Sequence, residues 1–139
     1  MTQTEKPTRL GFAEVAKRMA IAGDGGGSCF KSIVGLTGAC TASEDSTFAN
    51  PGGATKLAAN GFALQNADTV YQHSVTVTND SVEIIHIFTA TGTQSVSGFA
   101  IENDDDDVVF MECCFATAIP CQVGDTISIL AYYQFKTSA

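Results

Sequence analysis

The chain has 139 residues, 45% of them apolar and 16% charged, with a formal net charge of −8. That length suits one domain with its own core, and the apolar share excludes a disordered chain. Lys17 and Arg18 are the only adjacent basic residues, too few for a phosphate backbone. No run approaches the ~20 apolar residues of a spanning helix. Neither nucleic acid nor a membrane is therefore expected as a partner. The low charged fraction, 13 glycines and many Ser and Thr fit an all-β domain whose surface is partly covered by neighbours.

Residues 1–10 are expected as a flexible N-terminal arm, and residues 11–139 as a single β-sandwich domain with an N-terminal helix. The polar start, Met1 to Arg9, lacks the basic end and apolar run of a signal peptide. The expectation is a protein made inside a cell and not exported by that route, with release by lysis left open. Between Gly11 and Ala22, Phe12, Val15 and Met19 recur at helical spacing, with Glu14 early and Lys17 and Arg18 late, as the helix dipole favours. The run Gly23 to Ser28 stops that helix. It lacks the Lys-Ser/Thr ending of a phosphate loop and follows a helix, so it reads as a turn.

Cys29 to Leu36 reads as a short buried strand. Thr37 to Ala54, punctuated by Pro51-Gly52-Gly53, reads as a surface excursion. Lys56 to Leu64 is apolar but broken by Asn60-Gly61, and its state stays open. From Val70 the period becomes two: Tyr71, His73, Val75 and Val77 alternate with polar residues up to a turn at Asn79-Asp80. On the next strand Val82, Ile84, His86 and Phe88 share one face, with Ile85 and Ile87 on the other. A strand apolar on both faces is central, or is covered by a second layer or a neighbouring subunit. Strands over Ser95 to Glu102, Val108 to Ala116 and Thr126 to Lys136 complete the pattern. The fold class is all-β: an antiparallel β-sandwich or jelly-roll with one short N-terminal helix.

The acidic run Asp104, Asp105, Asp106 and Asp107 is the main charge cluster and supplies the calcium candidates. Its consecutive spacing is not that of an EF-hand, and the favoured reading is a solvated hairpin tip that discourages strand pairing. His73 and His86 would stand cross-strand if the turn at Asn79-Asp80 were tight. They could then share a metal with a third ligand, although a histidine satisfied by a hydroxyl is the commoner case. The five cysteines, an odd number, are expected as reduced core thiols. Cys113 and Cys114, adjacent on a strand, should point to opposite faces.

No GxSxG or HExxH motif occurs, and no carboxylate stands out as placed in apolar surroundings that would tune it for acid catalysis. No catalytic residue, cofactor or metal is assigned, and the expectation is a protein that is not an enzyme. The interface candidates are Phe12, Val15 and Met19 on the helix, with Tyr132 and Tyr133 on the last strand.

One order of motifs carries a resemblance. A helix over Gly11 to Met19 precedes a strand and the Thr/Ala/Ser-rich stretch Ala39 to Thr47. Then come Ile87-Phe88-Thr89-Ala90-Thr91-Gly92, Val96-Ser97-Gly98-Phe99-Ala100 and the aspartate tip. Val109 to Phe115, Ile119-Pro120 and Val123-Gly124-Asp125-Thr126-Ile127-Ser128-Ile129 close the chain. This resembles the small structural proteins of tailed bacterial and archaeal viruses. The chain departs from that pattern in lacking an acidic residue before Gly98 and a basic one at Cys113 or Cys114.

The resemblance implies a virion structural protein, first of all a capsid decoration or cement protein that packs on neighbouring subunits. The alternative is a tail-tip or fibre component, or a host-attachment β-sandwich dependent on calcium or glycan. Implied partners are copies of itself, as a homo-oligomer, and other virion proteins, either the major capsid or the tail protein. Its place would be the virion, after synthesis in the host cytoplasm.

Overall fold

Residues 3–8, 30–73, 81–103 and 108–134 are described, from a computed structural model. The helix expected over Phe12, Val15 and Met19, the glycine run after it, Val75 and Val77 with the turn expected at Asn79-Asp80, and the acidic run Asp104 to Asp107 lie outside these residues.

The described chain is all-β. In order its strands are β1 (Gln3–Pro7), β2 (Ser32–Thr37), β3 (Thr55–Lys56), β4 (Gln65–Asn66), β5 (Thr69–His73), β6 (Ser81–Thr89), β7 (Gln94–Glu102), β8 (Val109–Cys121) and β9 (Thr126–Gln134). They form two antiparallel sheets. The first runs β1-β8-β7-β2-β3, with β4 also on β2, and the second runs β5-β6-β9. A single apolar cluster draws on both. Ile33, Phe99, Ile101, Phe110 and Met111 come from the first sheet, and Ile84, Phe88, Ile129 and Ala131 from the second.

Alternation explains these assignments. On β6 the side chains of Ile84, His86 and Phe88 are buried while Ile87 is exposed, so a period of two sends alternate residues into the core. β6 is the central strand of its sheet, as its two apolar faces suggested. On β8 the same alternation splits the cysteine pair: Cys113 joins the core, and Cys114 points away to the opposite face, where it bonds Cys40. β8 runs on through Pro120. There it lies past the end of β1, which pairs only from Met111 to Phe115, so the missing proline N–H faces an edge.

The start of the chain differs from expectation. Gln3–Pro7, expected within an arm, pairs antiparallel with Met111 to Phe115 of β8. Thr8, fully buried, donates its N–H to the Phe110 carbonyl and its hydroxyl to the Val109 carbonyl. The cause is tertiary: the upper half of β8 would otherwise leave a row of backbone groups without a ladder partner.

Candidate functional site

The outward face of the first sheet carries the most polar burial. Here the excursion after β2 folds down over a second apolar cluster of Val34, Leu36, Ala54, Ala100 and Val109. Glu112, fully buried on β8, anchors it. Its Oε1 accepts the Ser43 N–H at 2.6 Å and the Ser46 hydroxyl at 2.7 Å, and its Oε2 accepts the Gly52 N–H at 2.6 Å. Beside it Cys40 and Cys114 form a disulfide. Gly52 has a φ of +62°, and a Cβ there would meet Cys114 Sγ at 2.8 Å and Cys40 Sγ at 2.9 Å. Only glycine meets both constraints.

Farther along the same sheet, Glu102 is fully buried and Lys56 Nζ lies 2.6 Å from its Oε1, with that ammonium also 3.2 Å from the Phe48 ring centroid. One expectation is corrected on this face: the cysteines are not all reduced, because the excursion brings Cys40 to the outward side of β8. Two carboxylates that the sequence reading did not single out, Glu102 and Glu112, are buried here, one against Lys56 and the other among hydrogen-bond donors. Their sequence signal was an acid at alternating positions inside apolar strands. Glu112 spends its oxygens on backbone and hydroxyl donors, so it fastens a loop.

The histidine pair is also corrected. His73 stands opposite Ser81, and Thr69 opposite Ile85, so His86 lies past the start of β5. A turn centred on Asn79-Asp80 would have set His73 opposite His86, whereas the observed register sets it opposite Ser81, with Ile84 and Phe88 buried in the core. His86 instead meets Asp68: Nδ1 lies 3.3 Å from Asp68 Oδ2, which also accepts the Ile87 N–H at 2.8 Å. The imidazole packs edge-on against Phe88. Burial lowers its pKa below the ordinary value, and the Asp68 charge only partly offsets this. Among the described residues no three His, Cys, Asp or Glu side chains gather as a metal site.

The remaining feature is the second sheet itself. Pairs Ile85–Leu130, Glu83–Tyr132 and Ile87–Ser128 share its outward face. Ile87 is 51% exposed, Leu130 66% and Tyr132 42%. Tyr133 points the other way, half-buried with its ring 4.6 Å from Phe110, and burial raises its pKa. At the β9 edge a slot of about 420 Å³ opens between the sheets. Phe99, Met111, Phe115 and Ile119 line one side and Ile127 to Tyr132 the other, with Gln3 at one end.

No protein family, curated protein or solved structure matches the chain. Among the described residues no helix is long and apolar enough to cross a membrane.

Proposed function

We propose that this chain is a non-enzymatic structural component of a virion, a β-sandwich that packs on neighbouring subunits as a decoration or cement protein of the capsid. The observation that carries the reading is the outward face of the second sheet, where exposed Ile87 and Leu130 adjoin Ile85, with Tyr132 beside Glu83 at one end. A contiguous exposed apolar patch marks a contact surface. Small contacts of this kind gain strength by repetition on a symmetric particle.

Two further observations support the reading. The Cys40–Cys114 disulfide suits a protein that works outside the reducing interior of a cell, as virion proteins do. The Glu112 carboxylate is committed to holding the excursion, and His86 is buried within the core. The resemblance in motif order points the same way.

The test is gradient sedimentation of a lysate from cells that produce the chain. Recovery in the particle band, surviving a salt wash, supports the proposal. Recovery only in the soluble fraction overturns it. Light scattering on the purified protein, with and without chelator, adds a second arm. A monomer that changes size when calcium is removed would turn the reading toward a calcium-dependent attachment module.

A further inference from the structure

Among the described residues the second sheet has three strands and the first has six, five of them abreast, and β9 ends the narrower sheet. Among the described residues its one strand partner is β6. The slot lies where the next strand would stand, with its floor made by β8 and β7. An edge strand is usually defended by a charge, a proline or a bulge. Thr126–Gln134 contains no Asp, Glu, Lys, Arg, His or Pro, and pairs with β6 without interruption.

The geometry points to β9 as an acceptor edge for one extended segment donated by a partner protein. Backbone hydrogen bonds to the stretch Ile127 to Ala131 would seat the segment, and alternate apolar side chains would enter the slot over Met111, Phe115 and Ile119. The chemistry of the wall selects this occupant. Six consecutive β9 residues, Ile127 to Tyr132, line the slot lengthwise opposite apolar side chains of β7 and β8, the lining an extended segment would fill. The slot wall carries no charged side chain and the chain as a whole is −8, which favours a segment without carboxylates and with basic flanks. This inference deepens the assembly reading and rests on it for its biological partner. Strand capture without particle association would sink that reading alone, and particle association without strand capture would sink this one alone.

The experiment uses the full chain and a synthetic seven-residue peptide alternating valine and threonine between terminal lysines. Amide exchange and methyl resonances are followed by NMR. Expected are slowing of β9 amide exchange by about tenfold, shifts at Ile119 and Met111, and no effect from the same peptide with terminal glutamates. Ile119→Lys should abolish the response, while Ile87→Lys, outside the slot, should keep it. Should Ile119→Lys fail to fold, the exchange and methyl data on the unaltered chain decide. Strong protection, before peptide is added, of the β9 amides that point away from β6 would overturn the inference, because the edge would already be occupied. So would shifts confined to Ile85 and Ile87, or a dimer that itself protects β9.

Discussion

Glu112 and Gly52, 60 positions apart in sequence, are joined by an N–H···O bond of 2.6 Å between the Gly52 amide and the buried carboxylate. The same carboxylate takes the Ser43 amide and the Ser46 hydroxyl, so a single β8 side chain fixes the excursion at three points. Glu112→Gln keeps the size but turns an NH₂ group toward donors. The expected loss is about 3 kcal/mol, the range for breaking charge-assisted buried hydrogen bonds. Urea unfolding would measure it, and an unchanged midpoint would remove the network from the account of stability.

Gly52→Ala should cost about 2 to 4 kcal/mol, combining the left-handed backbone with a steric clash against both disulfide sulfurs. In a Cys40→Ala/Cys114→Ala background the clash shrinks while the backbone penalty stays. Equal penalties in the two backgrounds would show that the sulfurs are not the obstacle.

Breaking the disulfide frees a loop of 74 residues in the unfolded chain, and reduction should lower stability by about 2 to 4 kcal/mol. Mass spectrometry of denatured, alkylated protein offers a direct check. The unreduced chain should take up two fewer alkyl groups than the reduced chain, and peptide mapping should place both at Cys40 and Cys114.

Stability should fall as pH drops below the ordinary histidine value of about 6.5. His86 has a lowered pKa in the folded state, so over that window the unfolded chain binds the proton and the folded chain does not. The slope is at most about 1.4 kcal/mol per pH unit and levels off below the folded pKa. His86→Leu should remove this component. Parallel unfolding series from pH 7.5 to 5 would reveal it, and identical slopes for both proteins would rule out His86 as the source.

Ile87→Lys and Leu130→Lys place charges on the outward face of the second sheet without touching the core. Each should change stability by no more than about 0.5 kcal/mol yet reduce recovery with particles in the sedimentation assay. Val123→Lys, on a turn and 71% exposed, should leave recovery intact. Loss of recovery in all three would indicate a general charge effect.

Local patterning made the later strands legible: alternation marked β6 and β9 and apolar runs marked β7 and β8, although β8 continues past the expected end at Ala116 to Cys121, and the opposite faces of Cys113 and Cys114 follow from the strand period. What was not legible depends on partners distant in sequence. Gln3–Pro7 has polar residues and a proline, and becomes a strand through β8. The Cys40–Cys114 bond needs the excursion to fold back first. The placement of His73 and His86 failed because it relied on an assumed turn, whereas core burial of Ile84 and Phe88 sets the pairing. At the candidate surface, alternation placed Ile85 and Ile87 together, but their union with Leu130 and the slot beside β9 required the topology.

The bond at Cys114 also removes a freedom that sheets otherwise retain. Sliding β8 by one residue would send Glu112 and Cys114 into the shared core and turn Met111 and Cys113 outward. With Cys114 covalently held on the outward side, that misfold cannot form once the thiols have joined. The cross-link thus acts as a proofreading device for strand alignment, passed along to β1 and β7, the two neighbours that take their alignment from β8.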